Sequence, residues 1–304
     1  MESNILLESG TGELEVLEFV IGDRHFAINI IKVKEVVEVE GGKITKLPET
    51  NPAIAGLILC RNEIITLVDL KYVITKGQKV ESCSKVIICE FNKVRVAFNI
   101  DAIVGVHRVK WEEILKPDNV AENPLVIGHV ILGDKILLML DFEKIVTDIS
   151  PSTGISQERI GNIEYDKNRA TVRIAMADDS TLIRKLLKNT LNKAGFTNLH
   201  IFDDGKQLLN YLEEVVEKKG EKVTEEVQLV ITDIEMPQMD GHALTRKIKE
   251  HPLLRRIPVI IFSSLITGDL KHKGESVGAD AQISKPEVGE LVRIIEELIN
   301  KNNI

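Results

Sequence analysis

Five residues in the second half of the chain have side chains that could together carry out phosphoryl chemistry. Asp178 and Asp179 are neighbouring carboxylates, Asp233 is a third, Ser263 supplies a hydroxyl and Lys285 an ammonium. Three carboxylates brought together repel one another unless a cation neutralises them, and oxygen-only ligation with room for water suits Mg²⁺. An aspartate can attack phosphorus to give an acyl phosphate. The set therefore predicts a Mg²⁺-assisted, phosphoryl-accepting aspartate.

The segments that carry these residues indicate how they are positioned. Short apolar stretches rich in Val and Ile predict buried strands that end at the polar residues: 172–177, 227–232, 258–262 and 281–284. Between the strands, leucines recur with helical spacing, as in 181–194. This alternation predicts a parallel α/β sheet, whose ligands bind at the carboxyl ends of the strands. All five polar residues are thereby gathered at one edge.

The placement of the carboxylates suggests their roles. Asp233 stands alone at the end of its strand and is the predicted nucleophile, whereas Asp178 and Asp179 open a helix and are better placed to hold the metal. Lys285 then supplies a positive charge for an incoming phosphoryl oxygen. Each residue alone has a simpler explanation, because Asp178 to Ser180 could cap a helix and Lys285 could lie in a loop. Their joint occurrence at strand ends favours the phosphoryl site.

Four motifs resemble those of bacterial response-regulator receiver domains. They are Met176-Ala177-Asp178-Asp179-Ser180, Thr232-Asp233-Ile234-Glu235-Met236-Pro237, Phe262-Ser263-Ser264 and Ser284-Lys285-Pro286. The resemblance covers about 171–304 and implies a flavodoxin-like fold with a five-stranded parallel sheet. It also implies that a histidine kinase phosphorylates Asp233 and that Ser263 and Lys285 close on the phosphate. The implied Mg²⁺ ligands are three carboxylates and a backbone carbonyl, from Asp178, Asp179, Asp233 and Glu235.

Two positions depart from the commonest receiver pattern. Gln282 stands where many receivers carry a Tyr or Phe that swings inward on activation, so the usual aromatic switch is in question. Glu235, two residues after the nucleophile, places an acidic side chain near the phosphate and could alter its rate of hydrolysis.

Length and composition bound the remaining possibilities. A chain of 304 residues is long enough for two domains, and the hydrophobic and charged fractions of 43% and 28% are ordinary for a globular protein. The formal net charge of -8 and the lack of a basic recognition helix argue against nucleic acid as a partner. Apolar runs are too short for a membrane span, and the start Met1-Glu2 lacks a signal peptide's basic head. We therefore expect a cytoplasmic protein without direct membrane insertion.

The first half of the chain has the pattern of an all-β domain. Short runs punctuated by Gly and Asn predict strands at 13–21, 24–30, 64–68, 85–91, 94–98, 103–110, 126–132 and 135–140. The hairpin-like segment 54–70 returns as 126–142, with Gly56 and Asp69 each recurring 72 residues later. The repeat predicts two related small barrels, with chance similarity between apolar hairpins as the alternative. The scattered histidines are assigned no role and no catalytic set occurs, so binding is the expected activity.

A second group of motifs resembles the CheW-like coupling domain of bacterial chemotaxis. It comprises Phe26-Ala27-Ile28-Asn29-Ile30, Val33-Lys34-Glu35-Val36-Val37, Leu47-Pro48 and residues 54–65, where Arg61-Asn62 replaces the usual Arg-Gly. A coupling domain followed by a receiver, together with the opening 5–11, resembles the CheV family of chemotaxis proteins. We predict a double-barrel coupling domain at 12–148, a linker at 149–170 and the receiver at 171–304.

The CheV resemblance implies a scaffold, not an enzyme, apart from the receiver's own phosphoryl transfer and dephosphorylation. The scaffold would bridge the cytoplasmic tips of chemoreceptors and the histidine kinase CheA within membrane-associated receptor arrays, and phosphorylation of Asp233 would tune the bridge. Its receptor-facing groove should involve Val36, Gly56 and Arg61, which could instead be a core residue, a backbone requirement and a solvated charge. Two rivals are a phosphate sink that drains the kinase and a Mg²⁺-dependent phosphatase with Glu235 as the acid.

Overall fold

The computed structural model describes residues 13–39, 44–48, 50–77, 84–91, 94–115, 125–150, 164–264, 268–285 and 287–302. The chain divides into two compact units, of which one comprises most of residues 14–154 and the other residues 155–304. No helix in these ranges is both long enough and apolar enough to cross a membrane.

The first unit is built from short strands and two helices. The strands are β1 (Glu13–Ile21), β2 (Arg24–Asn29), β3 (Val33–Glu38), β4 (Ile54–Cys60), β5 (Glu63–Val68), β6 (Lys85–Phe91), β7 (Val94–Ile100), β8 (Ala102–Lys110), β9 (Val126–Leu132) and β10 (Lys135–Leu140). The helices are α1 (Leu70–Thr75) and α2 (Phe142–Ile149). Sequence analysis did not predict β3 as a strand.

The strands form two five-stranded sheets with the same spatial arrangement. Their orders are β8-β1-β2-β10-β9 and β3-β6-β7-β5-β4. In each sheet one hairpin, β9–β10 or β4–β5, is antiparallel, and its second strand runs parallel to β2 or β7. The two predicted lobes are therefore present, with the repeated hairpins in matching positions.

The repeated aspartates cap the helices that follow the repeated hairpins. Asp69 Oδ1 accepts a hydrogen bond of 3.0 Å from the Tyr72 amide, and Asp141 Oδ1 accepts one of 2.9 Å from the Lys144 amide. Because a carboxylate at the N-cap satisfies amides that lack a partner within the helix, each Asp fixes where its helix begins. The helices α1 and α2 contribute to a core shared by both sheets, in which the rings of Phe98 and Phe142 meet edge to face with centroids 4.6 Å apart.

One buried carboxylate interrupts the apolar interior of the first sheet. Glu18 on β1 is 2% exposed, and its two oxygens accept hydrogen bonds of 2.5 Å from His25 Nδ1 and His107 Nε2. Lys135 Nζ lies 4.0 Å away. Burial by itself raises the pKa of Glu18, but the two histidine hydrogen bonds outweigh it and hold that pKa below its usual range. The position that matches Glu18 in the β6–β7 hairpin is the buried Ile88.

We expect Glu18→Gln to lower the free energy of unfolding of the first unit by about 1–3 kcal/mol, because the amide keeps one acceptor oxygen and one half-buried imidazole loses its hydrogen bond to a charged group. Since the pKa of Glu18 is lowered by folding, its contribution should be complete above pH 4.5 and be lost as the pH falls through the lowered pKa. Both effects are measured by urea unfolding at several pH values, with unfolding of the first unit followed by amide hydrogen exchange in β1 and β2.

The control for this substitution is Glu15→Gln on the same strand, where the carboxylate pairs with Arg108 at 3.1 Å near the surface. Such pairs contribute at most about 1 kcal/mol. Equal losses in the two variants, or a difference that does not change with pH, would contradict the role assigned to Glu18.

The second unit is a three-layer α/β domain. Its strands are β11 (Arg173–Ala177), β12 (Asn198–Phe202), β13 (Leu229–Thr232), β14 (Val259–Ser263) and β15 (Ala281–Ser284), all parallel in the order β12-β11-β13-β14-β15. Its helices are α3 (Thr181–Ala194), α4 (Gly205–Lys219), α5 (Gly241–Glu250), α6 (Gly268–Ser276) and α7 (Val288–Asn302). The predicted five-stranded parallel sheet is confirmed.

Helices cover both faces of this sheet, which explains why its central strands are apolar throughout. Residues of α3 and α7 pack on one face, and residues of α4 and α5 pack on the other. Every residue of β13 and β14 is buried. The carboxyl ends of the strands consequently lie together at one edge of the domain, where their polar residues meet.

Candidate functional site

Three carboxylates converge at the carboxyl edge of the parallel sheet. Asp178 and Asp179 follow β11, and Asp233 follows the neighbouring β13. One oxygen from each lies within 4.8 Å of the others. Asp178 and Asp233 are 2% and 5% exposed, whereas Asp179 is half-buried. The structure therefore brings together all three side chains that the sequence assigned to a metal and phosphoryl site.

Lys285 reaches this cluster from the end of β15. Its Nζ lies 2.7 Å from Asp233 Oδ2 and 3.0 Å from Asp178 Oδ2, and the residue is 5% exposed. The ammonium thus bridges the two buried carboxylates and supplies one positive charge against three negative ones. Because a phosphoryl group on Asp233 would carry its own negative oxygens, the same ammonium is within reach of them.

Backbone groups fix the orientation of both buried carboxylates. The Ser180 amide donates to Asp178 Oδ1 at 2.9 Å, and the Ile234 amide donates to Asp233 Oδ1 at 2.7 Å. Each aspartate therefore keeps its other oxygen for Lys285. The loop after β13 is held close by Gly241, whose amide donates to Ile234 O at 2.9 Å. A Cβ at Gly241 would lie 1.9 Å from Asp233 O, so glycine is required there.

The electrostatics of the cluster favour a bound cation. Burial raises the pKa of Asp178 to about 6; the Lys285 ammonium opposes this shift, and the Asp233 carboxylate adds to it. Net negative charge in a buried, oxygen-only donor set is the environment that hard divalent cations occupy. Asp178, Asp179 and Asp233 therefore fit Mg²⁺ in number, type and spacing.

Ser263 and Glu235 lie on the two loops that flank the carboxylates. Ser263, buried at the end of β14, pairs in register with Ser284, and its carbonyl accepts a hydrogen bond of 3.1 Å from the Lys285 amide. The Ser263 hydroxyl and the Lys285 ammonium are thus both positioned by the pairing of β14 with β15. Glu235 lies two residues after Asp233 with its side chain half-buried. Metal ligation by its carbonyl stays a prediction.

Gln282 packs against α6. Its Nε2 donates to Lys271 O at 2.7 Å, and its amide atoms lie 2.3–2.6 Å from where a Cβ at Gly274 would stand. Its Oε1 is buried without a hydrogen-bond partner. The Gln282 side chain therefore links β15, at the edge of the sheet, to α6, and it fills the space that the missing side chain of Gly274 leaves. Many receivers have an aromatic residue at the position of Gln282. Its predicted role in switching stays a prediction.

The three predicted receptor-facing residues lie on the sheet that contains β3 and β4. Val36 on β3 is 42% exposed, so it is not a core residue. Arg61, in the β4–β5 turn, pairs with Glu35 at 3.1 Å and so lies beside β3. Gly56 has a structural role, because its φ is +146° and a Cβ there would lie 2.4 Å from Thr45 O.

Two exposed aliphatic pairs were missed by sequence analysis. Leu59 faces Ile64 across the β4–β5 hairpin, and Ile131 faces Ile136 across β9–β10. They are 70%, 72%, 59% and 59% exposed, respectively. The same 72-residue offset that revealed the repeat also relates these pairs, so the repeat itself contained the signal. Matched apolar pairs on edge hairpins indicate surfaces for protein contacts.

Each of the two units matches a family of known proteins. Residues 15–150 match the CheW-like domain family, and residues 174–296 match the response regulator receiver domain family. The sensor histidine kinase CheAY of Helicobacter pylori is 24% identical over 285 residues, covering 90% of this chain and 33% of the kinase. The receiver of the histidine kinase CKI1 from Arabidopsis thaliana, solved with Mg²⁺ and BeF₃⁻, covers 44% of this chain and 95% of its own, with 23% identity and a TM-score of 0.38.

A further relative matches the chain through both units and along most of its own length. The chemotaxis protein CheV3 of Helicobacter pylori is 30% identical over 284 residues, which cover 91% of this chain and 89% of the relative. The order and extent of the two domains are thus shared along nearly the full length of both proteins. This chain belongs to the CheV family of chemotaxis proteins.

Proposed function

We propose that this protein is a chemotaxis adaptor that couples chemoreceptor tips to the histidine kinase CheA, and that phosphorylation of Asp233 modulates the coupling. It acts in the cytoplasm at receptor arrays, as an adaptor and not as a classical enzyme. The observation that carries the proposal is the presence, in one chain, of a buried Asp–Lys phosphoryl site and a β-rich unit with two matched apolar hairpins. The first receives a signal and the second binds partners.

Asp178, Asp179 and Asp233 would hold Mg²⁺, with the Glu235 carbonyl as a further ligand. When bound, the cation neutralises charge between the carboxylates and the incoming phosphoryl oxygens. The protein's own contribution is orientation. The Ile234 amide holds one oxygen of Asp233, which leaves the other to receive the phosphoryl group.

Phosphorylation changes the partner of Lys285. In the unmodified site its ammonium contacts Asp178 and Asp233, whereas the phosphoryl oxygens offer a stronger charge-assisted partner. Ser263, whose carbonyl accepts a hydrogen bond from the Lys285 amide, closes on the same group with its hydroxyl. The new negative charge draws in the two loops that carry Lys285 and Ser263 and thereby favours one of two conformations of the second unit. The adaptor can transmit this change of conformation.

The hairpin pairs suggest how the kinase is held. The occupant we assign to them is the CheW-like unit of the kinase, because the kinase relative named above contains a stretch similar to this chain. Two matched apolar tips, one in each lobe, would let one adaptor contact two such units. The receptor tip would occupy the surface near Val36 and Arg61.

The decisive experiment measures binding of the full chain to a receptor-tip fragment plus the kinase, in Mg²⁺, with and without beryllofluoride as a phosphoryl mimic. Asp233→Ala serves as the control. Binding that changes with the mimic only when Asp233 is present supports a switchable adaptor. Binding that never changes would instead indicate a phosphate sink, turnover of a small phosphoester would indicate a phosphatase, and no binding would refute the coupling role.

Charged substitutions at the hairpin tips should separate kinase binding from folding. We expect Ile64→Lys and Ile136→Lys to weaken kinase binding by at least about 30-fold, as for central interface residues. Their free energy of unfolding should change by less than about 0.5 kcal/mol, because both side chains already face solvent. Val106→Lys, at a 50% exposed aliphatic on the edge strand β8, is the matched control. Equal affinity in all three variants would overturn the assigned surface.

A further inference from the structure

The chain segment that enters the second unit is packed against the domain. Residues 167–171 form a 3-10 turn, which begins at Asp166. The Asp166 side chain accepts a hydrogen bond of 2.8 Å from the Asn168 amide, and its own amide donates to Ala194 O at 3.1 Å. The segment was predicted as linker up to residue 170, yet its described part makes hydrogen bonds with the end of α3.

Arg169 makes most of these contacts. Its Nε donates to Glu296 Oε1 on α7 at 2.7 Å, and its Nη1 donates to Ala194 O at the end of α3 at 2.8 Å. The same Nη1 donates to Glu164 O at 2.6 Å, and the guanidinium carbon lies 5.6 Å from the centre of the Phe196 ring. The side chain is 14% exposed. The planar guanidinium group of Arg169 thus connects the entering segment to two different helices, α3 and α7.

The contact between this segment and α3 is sterically tight. Gly195, which follows α3, has a φ of +111°, and a Cβ there would lie 2.2 Å from Asp166 O. Because the backbones approach this closely, the turn cannot slide along the end of α3 without losing hydrogen bonds. The entering segment is therefore fixed to α3, and Ala170 O also accepts a hydrogen bond of 2.6 Å from Asn198 Nδ2 at the start of β12. Arg169 adds the attachment to α7 through Glu296.

Both helices that Arg169 joins begin at the phosphoryl site. The helix α3 starts directly after Asp178, Asp179 and Ser180, and α7 starts three residues after Lys285. The 14 residues of α3 span about 21 Å, and a helix of this length moves as a rigid rod. Arg169 bridges the last residue of α3 and Glu296 in the middle of α7, so a shift of one helix start relative to the other changes the distance that it spans.

We propose that Arg169 is a positioning residue that transmits the phosphorylation state of Asp233 to the segment leading into the coupling domain. This inference rests on the proposed function. When Lys285 turns toward the phosphoryl oxygens, the start of α7 is displaced relative to α3, whose start is held by Asp178. The Glu296–Arg169–Ala194 bridge converts that displacement into a movement of residues 164–171. Movements of α3 and of α7 thus both act on residues 164–171, which have two alternative positions.

Hydrogen exchange of the full chain, with Mg²⁺ and with or without beryllofluoride, tests the inference. The Arg169 and Val172 amides donate to Asp166 O and Arg169 O at 3.2 and 3.1 Å, so their exchange reports on the turn. We expect exchange of residues 166–172 to change by at least about fivefold on adding the mimic, the lower end of typical coupling between sites. Glu296→Gln and Arg169→Lys should reduce this change, because the first removes the negative charge that holds the guanidinium and the second removes the fork that contacts both Glu296 and Ala194 O. Both substitutions keep the bulk of the side chain.

The matched control is Glu297→Gln, which makes the same change on the next residue of α7, where the carboxylate is exposed and pairs with Arg293. It should behave as the wild type does. Stabilisation of every variant by Mg²⁺ and beryllofluoride is measured in parallel as a thermal shift. Retained stabilisation with an unresponsive turn in the wild type would refute the transmission alone, as would loss of the response in Glu297→Gln. Absence of any stabilisation would refute the phosphoryl site itself.

Discussion

Asp233→Asn is expected to abolish phosphoryl acceptance completely and to weaken Mg²⁺ binding by at least about tenfold. The amide nitrogen cannot attack phosphorus, and one of three converging charges is removed. The metal-free protein should be at least as stable as the wild type, because Lys285 keeps its 3.0 Å contact with Asp178 while the repulsion between the two buried carboxylates disappears. Labelled phosphate transfer from the kinase or from acetyl phosphate measures the first effect, and Mg²⁺ titration the second.

The control for Asp233→Asn is the same change at Asp204, a buried aspartate that caps α4 by accepting a hydrogen bond of 2.8 Å from the Gln207 amide. Asparagine is as good a cap as aspartate, so this variant should fold, bind Mg²⁺ and accept phosphate normally. Labelling that survives in Asp233→Asn would place the acceptor elsewhere. A drop in metal-free stability would mean that Asp233 is held mainly by its attraction to Lys285.

The parallel sheet could be predicted because its strands are short, apolar and end at polar residues. The helix 181–194 and the strand 281–284 have the predicted bounds, and the other three predicted strands of this sheet differ by one or two residues at their ends. The strand β3 was missed because it alternates half-buried and exposed residues, with charges at Lys34, Glu35 and Glu38. Its place in the sheet comes from pairing with β6, which is distant in sequence.

The site was predictable for the same reason that the sheet was. Asp178 and Asp179 follow β11 and Asp233 follows the neighbouring β13, so the topology alone places Asp178 and Asp233 side by side. The contacts of Arg169 could not be predicted, because Glu296 is 127 residues away and its carboxylate resembles any exposed charge on a helix. The buried Glu18 was also missed, since its partners His25 and His107 lie on other strands and have no motif spacing.

The difference between the two lobes, Glu18 in one and Ile88 in the other, could not be predicted for the same reason. A repeat in sequence predicts two similar hairpins, and the sheets agree with it. It does not predict that one lobe has an ionised carboxylate where the other has Ile88, because that depends on which strands come to lie next to β1. Polar interiors of this kind depend on long-range pairing, whereas apolar alternation is local.

Lys285→Met should lower the free energy of unfolding of the second unit by about 3 kcal/mol in the absence of Mg²⁺. The ammonium is 5% exposed and contacts both buried carboxylates, so its removal leaves Asp178 and Asp233 repelling each other without compensation. Excess Mg²⁺ should restore much of this loss, because the cation supplies the missing positive charge, and Mg²⁺ affinity should rise. Urea unfolding in chelator and in Mg²⁺ gives both quantities.

The double variant Lys285→Met with Asp233→Asn separates this explanation from a loss of packing. If charge repulsion causes the instability, removing one carboxylate should recover most of the stability lost by Lys285→Met, and the coupling between the two sites should exceed about 1 kcal/mol. If the lysine stem matters mainly as packed volume, the double variant will be as unstable as the single one, and Mg²⁺ will restore neither. The first result would mean that the Lys285 ammonium supplies the positive charge that the carboxylates need when no metal is bound. Its release when a phosphoryl group arrives would then be the event that displaces the start of α7.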